Sequence, residues 1–102
     1  MQKDIFKDES VKLLVSALAG IESEQECRML LEDLLSTKEI LDISQRVEVA
    51  KMLSEGHVYS KIAEKTGAST ATISRVNRSY TYGAGGYTRM LKRFQKKKTE
   101  EE

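Results

Sequence analysis

The sequence predicts an all-α fold, and three observations carry that expectation. Proline is absent from the 102 residues, and half of the six glycines gather at Gly83, Gly85 and Gly86. Leu, Ala, Glu and Lys are plentiful, and these side chains lose little rotamer freedom in a helix. Apolar residues also recur at spacings of three and four along most of the chain, the period of an amphipathic helix.

Each element follows from that period and its punctuation. Residues Phe6 to Ala19 read as a first helix, with Val11, Leu14, Val15 and Leu18 on one face and Gly20 stopping it. Ser23 precedes Glu26 by three residues, the pattern of a capping box, so a second helix is expected to run to about Leu35. Its apolar face, Cys27, Leu30, Leu31, Leu34 and Leu35, is broad enough to be covered on more than one side. Thr37 reads as the cap of a third and longest helix that ends at Ser54 or Glu55 before Gly56. Ile40, Ile43, Val47 and Ala50 share one face, and Leu41, Val49, Met52 and Leu53 widen it. That is more apolar surface than one neighbour covers in a chain of this length, and it points to a second copy related by a twofold axis.

The stretch that organises the rest is Tyr59-Ser-Lys-Ile-Ala-Glu-Lys-Thr-Gly-Ala-Ser-Thr-Ala-Thr-Ile-Ser-Arg-Val76, a short helix, a turn and a second helix. Ala63 stands four residues before Gly67, a small side chain where two helices cross beside a residue permissive of positive φ. Ser69 or Thr70 caps the second helix, expected from Thr70 to about Tyr80. Ile62, Ala68, Ile73 and Val76 are expected to hold the pair together. The second helix keeps Thr70, Ala71, Ser74, Arg75 and Arg78 free. Short hydrogen-bonding groups, a methyl and two guanidiniums suit entry into a DNA major groove. The helix-turn-helix thus spans about 59–80. Gly-rich 82–87 reads as a hinge into a last helix over about 87–97, whose apolar face is Tyr87, Met90, Leu91 and Phe94. The run Lys96-Lys-Lys98 reads as a frayed end or a nonspecific phosphate contact.

Charge supports the same partner. Residues 1–55 hold 7 Lys/Arg against 12 Asp/Glu, whereas residues 56–99 hold 10 Lys/Arg against Glu64 alone. Segregation of sign onto the half that carries the helix-turn-helix fits a polyanion. Lys61, Lys65, Arg78 and Arg89 are the candidates for backbone phosphates, and Thr70, Ala71 and Ser74 for base edges. The single cysteine, Cys27, excludes an internal disulfide and reads as a small buried hydrophobe. The single histidine, His57, lacks the partners of a metal or catalytic site and reads as a turn residue or phosphate neighbour. No apolar run nears the ~18–20 residues that span a bilayer, and no signal peptide opens the chain. A soluble, cytoplasmic protein is expected, with no membrane partner. No paired carboxylates or nucleophile–base set points to an enzyme. The rival readings are a helical dimerisation or protein-interaction module, or a nonspecific nucleic-acid binder.

From Leu34-Leu-Ser-Thr-Lys-Glu39, through Gln45-Arg-Val-Glu-Val49 and Gly67-Ala-Ser-Thr-Ala-Thr-Ile-Ser-Arg75, to Leu91-Lys-Arg-Phe94, the chain resembles the Trp repressor family, in its Trp-repressor-like YerC/YecD-type branch. The resemblance implies a single Trp-repressor-like domain over 1–102, folded as an intertwined helical homodimer. It also implies a sequence-specific transcriptional regulator, a repressor acting on double-stranded DNA. By position, Thr70, Ala71 and Ser74 match residues that face bases, and Lys61 one that faces phosphates. Arg46 and Arg75 match the two arginines that hold tryptophan. Val76 stands where the repressor has a glycine that makes room for the indole. No tryptophan cofactor is therefore expected; another small anionic effector, a carboxylate or phosphate, is what the two arginines suit.

Overall fold

Asp8 divides the first predicted helix. The computed structural model describes residues 4–101, with 96–101 as backbone only. A 3-10 turn, Ile5–Lys7, comes first, and α1 then spans Glu9–Ala19. The expected single helix from Phe6 fails because the Asp8 carboxylate accepts from the amides of Ser10 and Val11. An N-cap holds extended φ/ψ, so the cap cannot lie inside a continuous helix.

α2 spans Glu24–Leu34, one residue shorter than expected, and Ser23 caps it by accepting from the Glu26 amide at 3.0 Å. α3 spans Thr37–Ser54, so Thr37 is its first helical residue and not its cap. α4 is Tyr59–Thr66 and α5 is Thr70–Tyr82, two residues longer than predicted. α6 is Gly86–Glu101 and exceeds the predicted 87–97 at both ends. The run Lys96-Lys-Lys98 lies outside the described side chains.

The chain falls into two compact units, residues 1–37 and 38–102. The first unit holds α1 and α2. Among its described residues none is buried, and Leu13, Leu14, Val15, Leu18, Met29 and Leu34 are all exposed. Cys27 is half-buried and not the buried residue expected, because this unit encloses no core of its own.

The second unit has a core. Val49, Ala50 and Met52 of α3, Ile62 of α4, Ala68 of the turn, Ile73 and Val76 of α5 and Leu91 of α6 form one buried cluster. Ile62, Ala68, Ile73 and Val76 are the four residues expected to hold the helix pair. α6 packs against α5, and Tyr87 and Met90 lie against the cluster beside Leu91. Phe94, placed on the same face by its spacing, is half exposed. On α3 the N-terminal half of the apolar stripe stays open, with Leu41 at 63% and Ile43 at 44% exposure.

Candidate nucleic-acid interface

The geometry of the site begins at the turn. Gly67 closes α4 with φ 75°, and its amide donates to the Ala63 carbonyl at 2.9 Å. Thr66 adds two bonds: its hydroxyl donates to the Ile62 carbonyl at 2.7 Å and accepts from the Ala68 amide at 3.1 Å. Ser69, of the two candidate caps, is the one used; its Oγ accepts from the Thr72 amide at 3.1 Å. At the other end of the pair, Asn77 Nδ2 donates to the Tyr59 hydroxyl at 3.0 Å, and Thr81 Oγ1 donates to Asn77 Oδ1 at 3.3 Å. The bonds at the turn close α4 and cap α5, and the Asn77–Tyr59 bond joins the two helices beside their apolar packing.

This framework fixes what α5 exposes. Ile73 is fully buried and Val76 is 4% exposed, so the opposite face of the helix turns outward. Thr70, Ala71, Ser74, Arg75 and Arg78 are all exposed. Ser74, Arg75 and Arg78 line one shallow depression on that face. Lys61 and Lys65 are exposed on α4 and line a separate depression with Glu64. Arg89 is exposed on α6 and does not line the depression of Ser74. His57 is half-buried after α3, with Nε2 3.7 Å from a Glu55 carboxylate oxygen.

Lys12, Lys38 and Lys51 each sit beside a carboxylate one helical turn away. Among the described residues, Arg46, Lys61, Lys65, Arg75, Arg78 and Arg89 make no ion pair. These cations remain available to an external anion, and a phosphate accepts from them without first breaking an internal bridge.

Arg75 borders a second cavity as well, which it shares with Arg46. They line this open cavity of about 430 Å³ with Asp42, Thr72, Ser79 and Tyr87. Gln45 and Val76 complete its wall. Val76 belongs to the core as well. Thr72, Ser79 and Asp42 have no assigned role in the sequence reading, and Tyr87 is expected there only on the apolar face of the last helix. A signal was present: Thr72, Arg75 and Ser79 fall at i, i+3 and i+7 on α5, and Asp42, Gln45 and Arg46 at i, i+3 and i+4 on α3. Gln45, Asn77 and the Thr66 hydroxyl were missed because their partners are remote or are backbone atoms.

The Trp repressor protein family profile matches residues 9–95. The chain belongs to the Trp repressor family. It is 41% identical over 100 residues to the uncharacterized protein YerC of Bacillus subtilis (strain 168), across 98% of this chain and 96% of that relative. The crystal structure of a TrpR-like protein from Eubacterium eligens ATCC 27750 superposes with a TM-score of 0.85 at 48% identity, covering 91% of this chain and 96% of that one. A second crystal structure, from Staphylococcus aureus, gives 0.83 at 40% identity, covering 92% and 96%. The all-α Trp-repressor-like fold expected from sequence is the fold of these neighbours. As a member of the family the protein is a Trp-repressor-like regulator and not an enzyme. No described helix is long and apolar enough to cross a membrane.

Proposed function

We propose that the protein is a sequence-specific DNA-binding transcriptional repressor that acts as a homodimer on a pseudopalindromic operator. One observation carries the reading: α5 buries Ile73 and Val76 while presenting Thr70, Ala71 and Ser74 outward, beside arginines that no carboxylate neutralises. Thr70, Ala71 and Ser74 meet base edges. Lys61, Lys65, Arg78 and Arg89 hold backbone phosphates and set the register. Long bidentate readers are few on this face, so specificity draws on ordered water and DNA shape. The two units are read as parts of one domain that a second copy completes, because Leu14, Val15 and Leu18 of α1 and Met29 and Leu34 of α2 are exposed. Twofold symmetry then sets two α5 helices one DNA turn apart, ~34–36 Å.

Selection of bound duplexes from a random pool, without added ligand, tests this reading. An enriched twofold-symmetric site is the expected result. Equal affinity for unrelated duplexes would instead mark a nonspecific binder, and a folded dimer with no salt-dependent affinity would mark an interaction module.

The cavity favours a second, compatible role. Arg46 and Arg75, neither in an ion pair, line it with Thr72, Ser79 and Tyr87, a set that suits a small carboxylate or phosphate, while Asp42 in the same lining is paired with Lys38 at 3.0 Å,. Val76 lines this cavity with a branched side chain, so an indole is not the expected guest,. Calorimetric titration with carboxylates and phosphate esters, with Arg46→Ala as the control, checks it.

A further inference from the structure

One bond ties the long helix to the turn of the reading unit. Gln45 Nε2, on α3, donates to the carbonyl oxygen of Thr66 at 3.1 Å in a partly buried setting, across 21 residues of sequence. Thr66 is the last residue of α4, where helical carbonyls lose their intrahelical partners,. The bond therefore satisfies a group that the left-handed turn would otherwise leave to water. The same residue uses its hydroxyl to fix Ile62 and Ala68 on either side. Gln45 itself stands at the wall of the Arg46 and Arg75 cavity. From one position it touches both the cavity and the turn that aims α5.

We infer that Gln45 is a positioning residue for DNA reading: its bond to Thr66, with Val76 of α5 packed in the core, sets the helix-turn-helix on α3. The inference deepens the DNA-binding reading above and rests on it. Two anchors from the long helix act on the unit. The buried packing of Val49, Ala50 and Met52 against Ile62, Ile73 and Val76 fixes its distance, and packing of this kind is non-directional,. The hydrogen bond is directional and fixes the rotation of the turn. A unit held in its reading orientation before DNA arrives loses less freedom on binding, and that gain falls on the specific site, where the base contacts need one orientation. Nonspecific attachment through phosphates depends on charge and tolerates several orientations.

The test compares wild-type protein with Gln45→Met, which keeps length and removes the donor, and with Gln45→Lys, which restores a donor. Gln45→Ala serves in place of the methionine variant should that one fail to fold. Three quantities are read: affinity for the duplex that wild-type protein selects, affinity for an unrelated duplex, and amide exchange at Gly67 to Ser69. Gln45→Met is expected to bind the selected duplex about fivefold more weakly, the factor carried by one net hydrogen bond. Its affinity for the unrelated duplex stays unchanged, exchange at the turn accelerates, and Gln45→Lys recovers part of each loss. A bond that only stabilises the fold would lower the unfolding midpoint and leave both affinities alone, and that result overturns the inference. Unchanged exchange in Gln45→Met overturns it as well. A wild-type protein that selects no duplex removes the DNA reading itself, while the exchange measurement still decides whether Gln45 sets the turn.

Discussion

The amide of Gly67 donates to the carbonyl of Ala63 at 2.9 Å with Gly67 at φ 75°, and this contact turns α4 into α5. A side chain at position 67 has room: an added Cβ would meet only Gln45 Nε2, at 4.0 Å. The penalty for Gly67→Ala is therefore conformational and not steric crowding by neighbours. It should destabilise the protein by roughly 1–2 kcal/mol, the cost of placing an L residue in the left-handed region. Gly67→Asn should cost less, since Asn tolerates that region. Urea unfolding of both variants checks the order; a larger loss for Gly67→Asn would mean that crowding and not backbone strain dominates.

Ile73 and Ser74 are consecutive on α5 and have opposite fates. Ile73 is fully buried, and Ser74 is exposed at the depression it shares with Arg75 and Arg78. Ile73→Ala should lower stability by about 2–5 kcal/mol, the range for emptying a core position. Ser74→Leu should leave the unfolding midpoint nearly in place, because surface changes stay within about 0.5 kcal/mol. Its affinity for the selected duplex should fall at least tenfold. Equal thermal loss in the two variants would remove Ser74 from the reading face.

These two neighbours also show how much of the molecule the sequence carries. Burial of Ile62, Ala68, Ile73 and Val76 was legible because helical period alone decides which side of a short helix is apolar. The left-handed Gly67 and the cap at Ser23 were legible for a similar reason, since each is a local device written in two or three residues. The break at Asp8 is hidden because its capping role competes with the helix pattern that runs through it. The cavity of Arg46 and Arg75 came into view through the family resemblance, whereas the Gln45–Thr66 and Asn77–Tyr59 bonds did not. Those bonds join residues 21 and 18 positions apart, and neither periodicity nor motif spacing reports such pairs.

Residues 1–37 contain an unfinished apolar surface, with Leu14 at 41%, Val15 at 46% and Leu18 at 44% exposure on α1. If a second copy covers this face, a charge placed there must be buried without a partner. Leu18→Glu should then weaken dimer association by about a hundredfold or more, equivalent to roughly 3 kcal/mol for an uncompensated buried charge. Lys12→Glu, on the same helix but paired outward with Glu9 at 3.5 Å, is the matched control and should leave association unchanged. Sedimentation equilibrium of the two variants distinguishes them; a Leu18→Glu dimer as tight as the wild type would show that the face is covered by something else.

Asp8 supplies the pH-dependent element of α1. The hydrogen bond from the Ser10 hydroxyl, followed by the amides of Val11 and Ser10, holds its carboxyl below the ordinary value of 3.8. A folded-state value below the unfolded one means that the ionised form favours the capped helix. The contribution is fully present above the unfolded value and is lost as pH falls through the lower folded value. Helix α1 should accordingly begin to fray only in that acidic window and stay capped at neutral pH. Asp8→Asn keeps an acceptor oxygen and removes the titration, so its Ser10 and Val11 amide signals should stay flat where those of the wild type move. Wild-type amides that titrate at or above the ordinary carboxylate value would show that the Ser10 and Val11 bonds do not hold the carboxylate in solution.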